Sequence, residues 1–407
     1  MTMTFSESVE YLYNLGNEVL AMKLGLENIR KVLDALDSPE KNYLKVQIAG
    51  TNGKGSTCAF LEAICVSAGI NVGLTTSPHL ISITERVKIN GQEISEKDFA
   101  RHATRIKETS EKLVAEGKLE TVPTFFEQIT AIALNAFAEE KIDLAILETG
   151  LGGRFDATTA AKAEIVAITP IDFDHQNILG NSLAEIAAEK AAIIREDTKV
   201  IVASQPKDAL DVILERCAKF GVAPNLAASK PDKYKNIRLN LLGRHQIENA
   251  KVAVLLAETL QDYFPIKTEN IIEGLETAVH KGRLEFYKGI LFDGAHNVAG
   301  AKALKNYLDE FIEQPITMIF GAMRDKDLSE ISEILFPKAD KLILTKPDNP
   351  RSALPKSLAE FAKQKVYLTE NVGEALDLAK EFPDNLTCVT GSLYLIGEAQ
   401  KILKNAV

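Results

Sequence analysis

Apolar runs that end in glycine, an acid or proline alternate along the chain with segments of helical spacing, and this alternation predicts an α/β protein with a largely parallel sheet. In the first part, residues 45–49, 144–147, 165–169 and 200–203 read as strands. A second series follows at 290–292, 317–320, 341–345, 366–368 and 387–390, with helical segments between. Ser182 and Glu185 form a capping box ahead of a helix that carries Leu183, Ile186, Ala187, Lys190, Ile193 and Ile194 on one stripe. His280-Lys-Gly-Arg-Leu284 follows a long helical stretch and precedes a new strand, so two domains are expected, over 1–280 and 281–407. Neither low-complexity sequence nor a short-period repeat interrupts this pattern.

Composition narrows the class. A chain of 407 residues, 46% hydrophobic and 26% charged, is long enough for two or three buried cores and reads as a soluble globular protein. No stretch approaches the roughly 18 apolar residues that span a bilayer, and the start Met-Thr-Met-Thr-Phe-Ser-Glu has no basic region leading into an apolar run. Cys58, Cys65, Cys217 and Cys388 form no CxxC pair and no metal-ligand spacing, so a reducing, cytoplasmic location is expected. A formal net charge of -10 disfavours nonspecific binding to nucleic acid or to an anionic membrane, and an anionic substrate would need local basic groups.

Candidate chemistry is densest at Val46-Gln-Ile-Ala-Gly-Thr-Asn-Gly-Lys-Gly-Ser-Thr57, which runs from an apolar strand through a glycine-rich loop into a helix beginning near Ser56. Gly50, Gly53 and Gly55 let backbone N–H groups turn toward phosphate oxygens, Lys54 adds a positive charge, and the helix points its positive end at the anion. The common P-loop spacing is broken, because two residues separate Gly50 from Gly53 and Gly55 stands where a Ser or Thr would follow the lysine. Glu148 follows the strand Leu144-Ala-Ile-Leu147, at the strand's carboxyl end where open α/β sheets bind ligands, and a hard carboxylate there suits magnesium; as a bland alternative it caps a nearby helix. His175 also lies just past an apolar strand. Lys190 lies on the apolar stripe of its helix, where its ammonium could simply snorkel to water.

Gly50-Thr-Asn-Gly-Lys-Gly-Ser56 followed by Thr75-Thr-Ser-Pro-His-Leu80 resembles the ATP loop and second loop of the folylpolyglutamate synthase and dihydrofolate synthase family, Mur-ligase-like enzymes that join an acid to an amino acid. Glu148-Thr-Gly-Leu-Gly-Gly-Arg-Phe-Asp-Ala157, Asp174-His175, Glu185-Ile-Ala-Ala-Glu-Lys190 and Asp293-Gly-Ala-His-Asn297 continue the resemblance in the family's order, from about residue 45 to about 300. It implies a large N-terminal P-loop ATPase domain with a mostly parallel sheet, a smaller Rossmann-like C-terminal domain, and an ATP site between them. ATP would meet Gly50, Thr51, Asn52, Gly53, Lys54, Gly55, Ser56, Thr57 and Asn249, and from the C-terminal domain Arg283, Asp293 and His296. Two magnesium ions are implied, one held by Ser77 and Glu148, the other by His175 with Glu148. Lys190 would be carbamylated, which needs a neutral amine and reverses its charge, and the carbamate would join the metal site by orienting the second magnesium. Lys54, Lys190, His175 and Glu148 are thus the expected catalytic groups, with a monovalent cation as an additional cofactor.

Thr124, Phe125, Phe126 and Glu127 resemble the family's pterin-binding stretch, and Phe155, Asp156 and Ala157 a second part of that site. An aromatic face can stack on a flat pterin, although a phenylalanine here could equally be core. Arg86, Lys88 and Arg154 are candidates to meet substrate carboxylates. Val298 stands where the family often has proline after His-Asn. The implied reaction is ATP-dependent addition of L-glutamate to dihydropteroate, to the γ-carboxyl of a folate, or to both, through an acyl phosphate, by a monomer. A peptidoglycan-precursor ligase would carry an extra N-terminal domain for which the 49 residues before Gly50 leave no room. A non-catalytic nucleotide-binding protein would not need Glu148, His175 and Lys190 together.

Overall fold

The computed structural model describes residues 2–16, 25–229, 233–234 and 236–405. Two compact units emerge, one of Met1–Ile171, Gln176–Arg238 and Glu248–Ala278, the other of Asp172–His175, Leu239–Ile247 and Val279–Val407. The sequence suggests one boundary at 280/281. In the structure the chain enters the second unit three times, because two short segments far upstream pack with it.

The first unit is built on an eight-stranded sheet: β1 (Leu44–Ala49), β2 (Val72–Thr75), β3 (Val87–Ile89), β4 (Gln92–Glu93), β5 (Leu144–Glu148), β6 (Ile165–Ile168), β7 (Lys199–Val202) and β8 (Pro224–Leu226), in the order β4-β3-β2-β5-β1-β6-β7-β8. At one edge β3 pairs antiparallel with both β2 and β4, and the remaining neighbours, from β2 through β8, are parallel. Central strands buried on both faces are near-continuous in apolar residues, which is why β1, β5 and β6 are legible as apolar runs. One core joins Ala145 and Leu147 to Phe99, Ile132 and Phe137 from the helices Glu96–Ala115 and Phe125–Glu139. Another joins Val166 and Ile168 to Ile186 and Ile213 from the helices Leu183–Ala191 and Lys207–Lys219. Parallel crossovers point β2, β5, β1, β6, β7 and β8 the same way, so the carboxyl ends of β2, β5, β1 and β6 stand side by side.

The second unit carries β9 (Glu285–Tyr287), β10 (Ile290–Asp293), β11 (Ile316–Phe320), β12 (Lys341–Leu344), β13 (Val366–Leu368) and β14 (Leu386–Thr390), in the order β13-β12-β11-β14-β10-β9. Only the pair β9 and β10 is antiparallel among the described residues. Leu291, Met318, Phe320, Leu342 and Leu344 pack with Leu304 and Ile331 in its core.

Every strand expected from the sequence is present, with ends that differ by a residue or so. The unexpected ones, β2, β3, β4, β8 and β9, are two to four residues long, too short to show a period. Among the described residues no helix is long and apolar enough to cross a membrane.

Candidate functional site

The glycine loop leaves β1 and enters the helix Lys54–Ser67, so that helix starts at the lysine rather than near Ser56. Gly50 and Gly53 have φ of 148° and 86°, in the left-handed range that a Cβ disfavours. Space forbids one as well, since a Cβ at Gly50 would stand 1.9 Å from Thr169 Oγ1 and one at Gly53 2.1 Å from Asn249 Oδ1. Asn249, from the helix His245–Leu260, is therefore brought onto the loop. Gly55 differs from the expectation: it lies inside the helix without a positive φ and contributes no turn. The N–H groups of Thr51 and Asn52 donate to the Pro170 carbonyl at 3.0 and 3.2 Å, so they brace the loop against the segment after β6 instead of facing an anion. Lys54 folds back, its Nζ donating to the carbonyls of Gly50 and Thr51 at 3.2 Å each. Ser56 and Thr57 are buried in the first turn.

Glu148 ends β5, which lies between β2 and β1, and this order sets it beside both the glycine loop and the loop carrying Ser77. The Ser77 N–H donates to Glu148 Oε2 at 3.0 Å. Among the described residues no three His, Cys, Asp or Glu side chains converge as a metal cage. A lone buried carboxylate with a serine beside it fits a hard cation that takes its other ligands from water and phosphate.

Lys190 occupies the last turn of Leu183–Ala191, a helix whose Ser182–Glu185 capping box is formed. It is 4% exposed, and its Nζ donates to the Gly50 carbonyl at 2.9 Å. The ammonium does not snorkel to water. Lys54 and Lys190, distant in sequence, thus share one carbonyl of the glycine loop. Beneath them, the loop Gly150–Gly153 docks on the same helix: a Cβ at Gly153 would touch the carbonyls of Glu189 and Lys190, and the Arg154 N–H donates to Glu189 O at 3.0 Å.

The residues resembling a pterin site divide into scaffold and surface. Thr124 and Glu127 form a capping box at the start of Phe125–Glu139, with the Glu127 carboxylate accepting from the Thr124 N–H at 2.8 Å and Oγ1 at 2.9 Å. Phe125 is buried against the Tyr13 ring, stacked at 5.8 Å, and under the Arg86 guanidinium at 5.2 Å. Arg86 is 2% exposed and its Nε donates to His79 Nδ1 at 2.7 Å, so it is built into the core of this region. Burial first, with Arg86 second, holds the His79 imidazole down to about 3, hence neutral. Phe126 lies against Gly150. Asp156 is buried, its pKa raised by that burial, and its oxygens accept from the N–H groups of Leu151 and Thr158 at 2.9 and 3.0 Å. Ala157 is buried beside it, whereas Phe155 is 41% exposed. Lys88 adds a charge near buried Glu62, and Arg154 pairs with Glu189 at 2.8 Å.

In the second unit Asp293 ends β10, with Oδ2 accepting from the Leu284 N–H at 2.9 Å and Oδ1 from that of Ala295 at 3.0 Å. Arg283 Nη1 donates to the Gly294 carbonyl at 3.2 Å. His296 Nδ1 faces the same carbonyl at 2.7 Å and so carries a proton there; burial first, with Lys326 second, keeps this imidazole neutral, down to about 4. His175 takes φ 51°, and its Nε2 stands 3.7 Å from Asp174 Oδ1 and 3.5 Å from Lys326 Nζ. Lys326 was not signalled by its local sequence. It sits in Met323-Arg-Asp-Lys-Asp327, just past the carboxyl end of β11, and the rule that ligands gather at strand carboxyl ends could have marked it.

Burial pushes Asp293 up to about 6 against the opposing pull of Arg283 and its two backbone donors. The folded protein therefore resists its ionisation. Its stabilising contribution is complete below the ordinary aspartate value of about 4 and is lost as the pH rises through about 6. Asp293→Asn is expected to remove that dependence, read as a pH-independent difference where wild type declines in thermal unfolding between pH 4 and 7; an unchanged profile would mean that Asp293 is not the group.

Family comparisons agree with this arrangement of two sheets and a cationic glycine loop. A family model described as Mur ligase middle domain matches residues 48–257, just over half of the chain, and one described as Mur ligase, glutamate ligase domain matches 282–393. The fold is that of a Mur-type ligase. The dihydrofolate synthase/folylpolyglutamate synthase of Bacillus subtilis is 34% identical, over 96% of this chain and 97% of its own. A solved structure of Mycobacterium tuberculosis folylpolyglutamate synthase complexed with ADP and AMPPCP superposes with a TM-score of 0.90 at 29% identity, covering 98% of each chain. The Yersinia pestis bifunctional folylpolyglutamate synthase/dihydrofolate synthase complexed with AMPPNP and Mn ion gives 0.86 at 28% identity, over 99% of this chain and 98% of that one. The chain belongs to the folylpolyglutamate synthase/dihydrofolate synthase family.

Proposed function

We propose that the protein is an ATP-dependent ligase that adds L-glutamate to dihydropteroate and to the γ-carboxyl of reduced folates. The observation that carries this reading is the meeting of Lys54, Lys190, Ser77 and Glu148 at the carboxyl ends of adjacent parallel strands, in a chain similar along its length to ligases of this kind. The glycine loop and the N-terminus of Lys54–Ser67 hold the triphosphate, with Lys54 turning from the loop carbonyls to the transferring phosphoryl group. Attack by the substrate carboxylate gives an acyl phosphate, which the amine of glutamate opens to an amide and phosphate. Divalent magnesium would neutralise phosphate charge in this step; Glu148 and Ser77 would hold one ion, and His175 is a candidate metal ligand.

Lys190 serves this reading best as a carbamate. Two ammonium groups converging on one carbonyl repel each other, and a buried neutral amine is the form that takes up carbon dioxide. The carbamate would carry a negative charge to the metal side of the loop. Phe155, exposed beside the Gly150–Gly153 loop, is the aromatic placed to meet the pterin, while Thr124, Glu127 and Asp156 shape its surroundings. We place the protein in the cytoplasm as a monomer, where its four buried free cysteines stay reduced.

Purified protein given ATP, magnesium, L-glutamate and either dihydropteroate or tetrahydrofolate is expected to release phosphate only with glutamate present, and to yield a product heavier by one glutamyl residue with each acid. Phosphate release indifferent to glutamate would overturn the ligase reading, and product from one acid alone would reduce it to a single activity. Glu148→Gln keeps the shape and loses the charge, so activity is expected to fall roughly 10- to 100-fold at limiting magnesium and to recover partly in excess. An unchanged magnesium dependence removes Glu148 from the ligands.

A further inference from the structure

Asp174 is bracketed on both oxygens within the second unit. Its Oδ1 accepts from Lys326 Nζ at 2.6 Å and from the backbone N–H of His175 at 2.9 Å, and its Oδ2 accepts from Asn297 Nδ2 at 3.2 Å. The Asp174 and Lys326 side chains are each 10% exposed, so their ion pair is shielded from the solvent that makes surface pairs weak. These groups come from separated parts of the chain: the four-residue segment 172–175, the loop after β11, and the N-cap of the helix Val298–Phe311. His175 follows Asp174 with φ 51°, a conformation that a residue with a Cβ holds only where its surroundings impose it. The bond from its N–H to Asp174 Oδ1 is the local hold, and Lys326 fixes the carboxylate that provides it. With both oxygens engaged by protein donors, Asp174 acts as an orienting group.

Resting on the metal-dependent ligase reading, we propose that Lys326 is a positioning residue for the reaction: it fixes Asp174, and through Asp174 the left-handed backbone that presents His175 as a metal ligand. Groups that orient a ligand without touching the metal typically carry a 10- to 100-fold effect on metal affinity or activity, and this sets the expected size. A lysine that merely staples two segments predicts a different pattern, lower thermal stability with unaltered metal binding once folded.

The test measures Mn2+ binding to the full chain by electron paramagnetic resonance in the presence of a nonhydrolysable ATP analogue, alongside kcat and thermal unfolding. Lys326→Met is expected to weaken Mn2+ binding and lower kcat, each about tenfold or more, and Lys326→Arg to restore most of both. Wild-type Mn2+ affinity in folded Lys326→Met, whatever its kcat or melting temperature, overturns the proposal. If that variant does not fold, because it leaves the Asp174 charge unpaired, Asp174→Asn gives the same reading, since an amide oxygen still meets the His175 N–H while the charge holding Lys326 is gone. Weakened Mn2+ binding there supports the clamp and wild-type binding overturns it. Metal binding is measured without turnover, so a wild type that makes no glutamyl product counts against the ligase reading alone.

Discussion

Lys54→Ala is expected to fold normally, to bind ATP with modest loss, and to lower glutamate-dependent turnover about 100- to 1,000-fold, the range for removing one preorganised group that meets charge developing in a transition state. The asymmetry follows from how the loop is built. Its shape rests on the left-handed backbone at Gly50 and Gly53 and on the bonds from Thr51 and Asn52 to the Pro170 carbonyl, none of which uses the Lys54 side chain. The cradle therefore survives. What disappears is the one cation that starts from the helix N-terminus and now rests on the Gly50 and Thr51 carbonyls. Titration of a nonhydrolysable ATP analogue, set beside kcat at saturating ATP, separates the two effects. Turnover near that of wild type would remove Lys54 from the chemistry and leave it a loop-bracing residue.

The parts of this molecule that were legible in the sequence are those written in local periodicity. β5 and β6 announce themselves because strands covered on both faces are near-continuous in apolar residues, and β1 shows Val46, Ile48 and Ala49 around its buried Lys45 and Gln47; the loop after β1 is recognisable because glycine is required where φ is positive. The Ser182–Glu185 box also reads correctly. Thr124 and Glu127 show the limit of likeness: the spacing Thr-x-x-Glu is itself a capping signal, and the structure uses both side chains to start a helix. Their backbone can still line a ligand, but their side chains are engaged.

Less legible were contacts that depend on how distant segments return to one place. Nothing near Asp174 indicates that its partner is Lys326, 152 residues away, nor does the sequence of Arg86 indicate that it will be buried over Phe125. A lone lysine on an apolar stripe has two readings until the groups beyond its tip are known. For Lys190 the Gly50 carbonyl decides against the snorkelling one, because that carbonyl belongs to a loop 140 residues earlier. Periodicity places a side chain on a face, and only tertiary structure states what faces it.

Lys190→Ala is expected to fold, since the helix keeps its capping box and alanine is a strong helix former, and to lose activity by about 100-fold. Two causes could produce that loss, an ammonium missing from the Gly50 carbonyl or a carbamate anion missing from the metal side of the loop, and they respond oppositely to added acid. A short-chain carboxylate that enters the vacated space supplies an anion, so it restores part of the rate only if the native group was anionic. Carbamylation also makes a demand on the wild type: the neutral amine bonds to the carbon of carbon dioxide and gives up a proton, so activity in carefully degassed buffer falls and returns with bicarbonate. Carbon-13 NMR of active enzyme equilibrated with labelled bicarbonate reads the modification directly, where acid treatment for mass measurement would strip it. A carbamate resonance that disappears in Lys190→Ala, together with rescue by carboxylate, assigns the anion to this residue. No resonance in active enzyme and no rescue would return Lys190 to what its 2.9 Å bond to Gly50 O already makes it, a cation that braces the loop beside Lys54.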